Sequence, residues 1–214
     1  MTRFLVIRHG FSLGNKENRF TGQIDLPLDE VGISQAEITA KYIFENYKID
    51  CIYSSDLTRA MQTAKPLSDI FGLDIIPCVE LRETYLGKWQ GKLISEVAEE
   101  FPESLAMYKE NPGLVQFDGG ECYADVMERV SRVMKKIAEK NDGKTVAVTT
   151  HGGVVRCLRA AWQNVDLKDI KNIPHVPNAS ISVVDYDSET GKADYKVIGY
   201  TDHLPFNTSV KGIH

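Results

Sequence analysis

The chain is poor in cysteine: Cys51, Cys78, Cys122 and Cys157 are the only four in 214 residues. None forms a C-x-x-C unit, so the usual signal of a zinc site or a redox dithiol is missing. We read them as buried free thiols. No window approaches eighteen consecutive apolar residues, and the apolar run at the N-terminus is too short for a signal peptide, which makes a cytoplasmic location the default expectation. Positive charge is in deficit, with 25 Lys and Arg against 30 Asp and Glu and a net charge of -5. A general nucleic-acid binder needs a basic face, so that class is excluded, although a small basic pocket is not. A true P-loop is also missing. Gly143-Lys144-Thr145 imitates its end, but Ala138 stands where the first glycine is needed and the triplet enters a strand instead of a helix. His175, His203 and His214 lack metal-ligand spacing and receive no site. Asn178-Ala179-Ser180 and Asn207-Thr208-Ser209 match the glycosylation pattern but, without a secretory signal, read as polar turns. There is no internal repeat and no low-complexity segment.

What is present is an ordinary globular composition, 43% hydrophobic and 26% charged, sufficient for one sizeable core. We expect one domain over 1–214, with a tail from about Asp202 to the end. Its organising stretch is the first fifteen residues, where the apolar run Phe4-Leu5-Val6-Ile7 ends in Arg8-His9-Gly10. Four apolar residues closed by a glycine read as a buried strand that delivers a cation and an imidazole to its carboxyl end. The layout recurs downstream, where Val146 to Thr150 ends in His151-Gly152-Gly153. Ligands of open α/β sheets bind at carboxyl ends of strands, so two such strands side by side would pair the two histidines.

Between them the chain alternates. Lys16 to Gly32, broken by Gly22, Pro27 and Gly32, reads as a loop over the site, and Ser34 as the cap of a helix reaching Tyr47. Ile49 to Tyr53 is a strand. Ser54-Ser55-Asp56 then caps a helix from about Leu57 to Phe71, stopped by Gly72 and kinked or ended at Pro66. Leu73 to Val79 is a short third strand. The order βαβαβ implies parallel pairing and right-handed crossovers. Residues 88–120 read as an inserted helical lid whose Trp89, Phe101 and Tyr108 form local core, followed by a long helix from about Tyr123 to Lys140 and a helix from Gly153 to Trp162. A last strand pair, Ile181 to Tyr186 and Tyr195 to Tyr200, closes the sheet.

On this frame Arg8, His9, Arg59, Glu83 and His151 all fall just past a strand or in the first turn of the next helix. A phosphoryl group in transfer spreads negative charge over three oxygens and calls for positioned cations and donors. Arg8, Arg59 and His151 supply them, with help from the helix N-terminus at Gly152-Gly153. An imidazole can attack phosphorus and divide one difficult displacement into two easier ones, and His9 is the candidate nucleophile. Clustered cations disfavour a further positive charge there and keep the attacking nitrogen free. Glu83, in the turn after the third strand, is the candidate acid for the leaving alkoxide. Taken singly each residue has a bland structural reading, and it is their joint pattern that carries the functional one.

The segments Leu5-Val6-Ile7-Arg8-His9-Gly10, Asn15, Arg19-Phe20-Thr21-Gly22, Leu28 to Gly32, Ser54 to Ala60, Leu81-Arg82-Glu83 and Thr150 to Gly153 together resemble the histidine phosphatase superfamily. The resemblance covers roughly residues 4 to 186. It implies a three-layer α/β/α sandwich with a mainly parallel central sheet, a metal-free phosphohistidine mechanism, and no cofactor. By position it makes His9 the phosphorylated nucleophile and Arg8, Arg59 and His151 its phosphoryl binders. Glu83 takes the acid/base position; Asn15, Gly22, Gln23 and Gly152 fall at substrate-binding positions. Phe11 and Gln23 depart from the mutase pattern, while Leu86 to Lys92 and Gly119-Gly120-Glu121 follow the phosphatase form. No adjacent arginine pair occurs in residues 84 to 128 to hold a bisphosphate. The expectation is therefore a hydrolase of small phosphomonoesters, with no nucleic-acid or membrane partner. The alternatives are a cofactor-dependent phosphoglycerate mutase and, further off, a non-catalytic phospholigand-binding module. Arg19, Gln23 and the aromatic lid residues are the candidate substrate selectors.

Overall fold

The structure is a computed structural model that describes residues 1–205. The Asn207-Thr208-Ser209 turn, His214 and most of the expected tail lie outside the described residues.

Six strands form one sheet in the order β3-β2-β4-β1-β5-β6: β1 (Thr2–Arg8), β2 (Cys51–Ser54), β3 (Ile75–Pro77), β4 (Thr145–Thr150), β5 (Ile181–Tyr186) and β6 (Ala193–Tyr200). β1 and β4 are parallel neighbours with Arg8 opposite Thr150, β2 runs parallel to β4 and β3, and β5 is antiparallel to both β1 and β6. The two strands carrying the His-Gly units therefore lie side by side in matching register.

Alternation along β1 divides the core. Leu5 and Ile7 pack with Ala40 and Ile43 of α2 (Glu30–Asn46) and Ala64 and Leu67 of α3 (Thr58–Phe71). Phe4 and Val6 face the other way, toward Val130 and Met134 of α6 (Tyr123–Lys140) and Val154 and Leu158 of α7 (Gly152–Trp162). A central strand covered by helices on both faces has to be apolar throughout, which accounts for the unbroken Phe4–Ile7 run. Each such fully buried side chain contributes roughly 1.5–3 kcal/mol.

Several boundaries differ from the sequence expectation, each for an identifiable reason. The helix assigned to Ser34 begins at Glu30, because the Asp29 side chain accepts the Gly32 amide at 2.9 Å and caps it earlier. The preceding loop opens with a helical turn, α1 (Leu13–Lys16), capped by Ser12. α3 takes no cap bond from Leu57 at its N-cap; Asp25, from the loop over the site, accepts the Thr58 amide at 2.6 Å instead. Pro66 does not end α3, which runs on to Gly72, a left-handed closing residue at φ 66°. The third strand shrinks to an edge segment, since Leu73 is still bonded to Ser68 of α3 and a 3-10 turn occupies Val79–Leu81. Cys157 is buried, whereas Cys51, Cys78 and Cys122 are only partly so.

Residues 88–120 are helical as expected, with α4 (Ile94–Glu100) and α5 (Pro102–Glu110) set among 3-10 turns. Trp89 is core, 2% exposed against Phe20, Phe117 and Tyr108. At the far end His203, placed by sequence in a loose tail, stacks on Tyr42 and Tyr200 and bonds the Thr39 hydroxyl at 2.9 Å. Among the described residues no helix is long and apolar enough to cross a membrane.

Candidate active site

The carboxyl ends of β1 and β4 place the His9 and His151 rings 5.1 Å apart. His9 is 4% exposed, and its Nδ1 lies 2.7 Å from the Gly10 carbonyl oxygen. A carbonyl only accepts, so Nδ1 carries a proton, and in the neutral ring the lone pair lies on Nε2. The Gly10 and His9 carbonyls also accept from Asn178 Nδ2, at 3.2 and 3.0 Å. Asn178 thus holds the backbone on which the His9 ring is hung.

His151 is fully buried; its Nε2 meets Ser55 Oγ at 2.8 Å, while Nδ1 has no hydrogen-bond partner among the described residues. Burial first, then the charges of Arg59, His9 and Arg8, hold its pKa well below the usual 6.5, so the ring is neutral. Arg8 and Arg59 flank the pair, 6% and 1% exposed. Arg8 donates to the Val176 carbonyl at 2.7 Å, and Arg59 to the Gly22 and Ile24 carbonyls at 2.7 and 2.9 Å. Burial pulls both pKa values down to about 10, against the opposing pull of Glu83. They stay cationic at neutral pH, and among the described residues neither has a carboxylate in hydrogen-bond contact, a condition suited to an incoming anion.

Glu83 approaches from the turn after the 3-10 segment. Its Oε1 accepts the Thr84 amide at 2.9 Å and its Oε2 the Gly153 amide at 3.1 Å. One of the two glycine amides expected to greet an anion is therefore engaged by the acid. Gly153 is required there, because a Cβ would stand 2.5 Å from Glu83 Oε1.

A cavity of about 850 Å³, its open mouth included, is lined by Arg8, His9, Arg59, Glu83, Gly152 and Gly153 on one side and by Asn15, Arg19, Gly22, Leu86, Ile94 and Tyr108 on the other. Of the sequence-derived binding positions, Asn15, Gly22 and Gly152 line it. The Asn15 Oδ1 takes donors from Ser12 and Asn178, which leaves its Nδ2 for a ligand. Gln23 does not line it: it donates to the Glu83 carbonyl at 3.0 Å and so acts behind the acid. Tyr108, read from the sequence as local core, faces the cavity, and so does His175, to which no site was given. Ser55, Asn178 and His175 were missed. Ser55 was legible only as a helix cap and Asn178 only as a polar turn; the sequence carried no signal that either meets a histidine. Among the described residues no group of three or more His, Cys, Asp or Glu side chains could hold a metal ion.

The family model of the histidine phosphatase superfamily, branch 1, matches residues 4–197. The chain belongs to the histidine phosphatase superfamily. Among its relatives are phosphoserine phosphatase 1 of Hydrogenobacter thermophilus, 33% identical over 86% of each chain, and phosphoglycerate mutase-like protein 4 of Arabidopsis thaliana, 34% identical over 72% of this chain and 68% of that one. The solved structure of YhfR from Bacillus stearothermophilus superposes with a TM-score of 0.89 and 30% identity, covering 95% of this chain and 99% of that one. The three-layer α/β architecture is that of the family, and the chain is an enzyme of its phosphatase class.

Proposed function

We propose that this histidine phosphatase hydrolyses small phosphomonoesters through a phosphohistidine on His9, without a metal. The observation that carries the reading is the Nδ1–H bond of His9 to the Gly10 carbonyl, which in the neutral ring makes Nε2 the nucleophilic nitrogen, in a cavity it shares with the buried Arg8 and Arg59. Nε2 attacks phosphorus and the P–O ester bond breaks. Arg8, Arg59 and the Nδ1 side of His151 take up the charge on the phosphoryl oxygens, and Glu83 gives its proton to the departing alkoxide. Glu83, now a carboxylate, takes a proton from the water that attacks the phosphohistidine, and inorganic phosphate leaves with His9 restored.

A mutase reading would need a second strong anion grip on the lid side. There the cavity is lined by Thr84, Leu86, Ile94, Tyr108 and Tyr123, and the arginine that reaches it, Arg19, is paired with Glu17 at 2.9 Å. That favours loss of the phosphoryl group to water, as does the phosphoserine phosphatase among the relatives. Phosphorus NMR of phosphomonoesters incubated in EDTA, with 3-phosphoglycerate present and 2,3-bisphosphoglycerate added or withheld, tests the reading. Free phosphate formed by the native protein and lost in His9→Ala is expected. Interconverted phosphoglycerates without free phosphate would make the protein a mutase, and turnover surviving in His9→Ala would remove the nucleophile.

A further inference from the structure

The parallel pairing of β2 with β4 sets Ser54 opposite Thr149. One step further along, the Ser55 amide donates to the Thr149 carbonyl at 2.9 Å, which brings Ser55 beside the chain that turns into His151. A short polar ladder holds it there. The Thr149 hydroxyl donates to that of Ser54 at 2.7 Å, and the Ser54 hydroxyl donates to the Ser55 carbonyl at 2.7 Å. Ser54, Ser55, Thr149 and His151 are all fully buried, and the ladder leaves Ser55 Oγ 2.8 Å from His151 Nε2.

A serine hydroxyl has one hydrogen to give and two lone pairs with which to receive. One lone pair of Ser55 takes the Leu57 amide at 3.4 Å. For the hydroxyl hydrogen there is, among the described residues, one acceptor, His151 Nε2. Were the ring hydrogen on Nε2, it would fill the second lone pair and strand a buried hydroxyl hydrogen without an acceptor, which protein interiors rarely tolerate. The hydroxyl therefore donates and Nε2 accepts. Burial and the charges of Arg59, His9 and Arg8 keep the ring neutral, so its single hydrogen lies on Nδ1.

We infer that Ser55 is a positioning residue that fixes His151 as the Nδ1–H tautomer and so makes a neutral, buried ring a one-sided donor to the phosphoryl oxygens. His9 and His151 then share one tautomer through opposite partners. The Gly10 carbonyl, which can only accept, engages the hydrogen of His9, whereas the Ser55 hydroxyl engages the lone pair of His151. One ring is left with a lone pair to offer and the other with a hydrogen. His151 Nδ1 has no partner among the described residues, and a phosphoryl group on His9, whose ring centre is 5.1 Å away, supplies the acceptor. Ser55 also opposes the imidazolium, because a ring donating from both nitrogens would again strand the hydroxyl hydrogen. His151 thus gives a hydrogen bond without adding a third positive charge to those of Arg8 and Arg59. No proton passes between Ser55 and His151. The tautomer is a property of the folded chain; its use in phosphoryl transfer rests on the phosphatase reading above.

The test is 15N NMR of the histidine-labelled protein, with the His151 ring assigned through its backbone connectivity. The native ring is expected to show a protonated Nδ1 and an unprotonated Nε2, told apart by their shifts and by their couplings to the carbon-bound ring hydrogens. Ser55→Ala should lose that pattern to a mixture or to the Nε2–H form, and Ser55→Thr, which keeps the hydroxyl, should retain it. In rapid-quench measurements, phosphorylation of His9 should slow about 10²-fold in Ser55→Ala, as loss of a preorganised donor predicts, and largely recover in Ser55→Thr. A native Nε2–H ring, or a tautomer that Ser55→Ala leaves unchanged, overturns the inference, and so does phosphorylation at the native rate in Ser55→Ala. Should the variants not fold, the native spectrum decides alone. If no ester phosphorylates the native protein, the phosphatase reading fails separately, and inorganic phosphate is titrated instead: a displaced His151 Nδ1–H signal supports the donor role, and an unmoved one overturns it.

Discussion

The Gly153 amide donates to Glu83 Oε2 at 3.1 Å, so the proposed acid is fastened to the first turn of the helix that begins beside His151. A helix N-terminus holds a carboxylate well, and here it sets that carboxylate against the proposed phosphoryl site. Glu83→Gln should therefore slow alkyl phosphates by about 10²-fold or more and activated aryl phosphates much less, as general acid catalysis requires. Gly153→Ala should do the same by displacing the acid without replacing it, since its Cβ would meet Glu83 Oε1 at 2.5 Å. The measurement is kcat/KM over a series of leaving groups. Equal losses at both ends of the series would take the acid role away from Glu83.

Arg129 grips Glu121 through two bonds, at 2.8 and 2.9 Å, and donates to the Glu80 and Arg82 carbonyls at 2.6 and 3.0 Å. Glu121 in turn accepts the Tyr85 amide at 2.8 Å. Glu83 is thus bracketed on both sides by a pair that never enters the cavity. Arg129→Met should reproduce the leaving-group signature of Gly153→Ala and lower stability by about 1.5–3 kcal/mol, the range for a charge-assisted bond. Denaturant unfolding and the leaving-group series read the two effects. A stability loss with rates reduced equally across all esters would make Arg129 a structural brace only.

Asn178→Ala removes the donor shared by the His9 and Gly10 carbonyls and by Asn15. Each of these acceptors keeps a second donor: the Ala179 amide for the His9 carbonyl, His9 Nδ1 for the Gly10 carbonyl and Ser12 for Asn15. The stability loss should therefore stay at about 1 kcal/mol, while the His9 ring loses its cross-link to the loop before β5. Rapid quenching should show phosphohistidine formation slowed by at least about ten-fold, with product still dependent on His9. An unaltered rate of phosphorylation would mean that the Gly10 carbonyl alone positions the ring.

Stability should fall with acid through His151. Its folded-state pKa lies well below 6.5 because burial and the neighbouring cations disfavour the imidazolium. The unfolded chain takes up a proton that the folded chain refuses, so the stabilisation is fully present above about pH 6.5 and is lost as pH drops below it, at up to about 1.4 kcal/mol per pH unit. His203, also shifted down by burial, acts in the same direction. His151→Gln should therefore flatten, without abolishing, the decline in urea-unfolding free energy between about pH 6.5 and 5. A slope identical to that of the native protein would mean that the histidine is solvated in the folded state.

The sequence by itself determined the two strands that end in His9 and His151, the long helix α6 and the adjacency of the site's cations. Each of these is a local pattern: a run of apolar residues specifies burial on both faces of a strand, and a glycine after a histidine specifies where the chain turns. It also carried enough combined motifs to place the chain in its family. What only the tertiary structure decided is which distant groups meet those local features. Asp25 caps a helix whose own N-cap residue makes no cap bond, Ser55 meets His151 while also accepting the Leu57 amide, and Asn178 reaches back to His9 from the loop before β5. Gln23 stands behind Glu83 and not in the cavity, while Tyr108 and His175 enter it. No periodicity encodes such meetings. They follow from the sheet order, which brings the loops after β1, β3 and β4 and the loop before β5 to one edge, and from the hydrogen-bonding needs of a buried backbone that is satisfied by whichever side chain folding delivers.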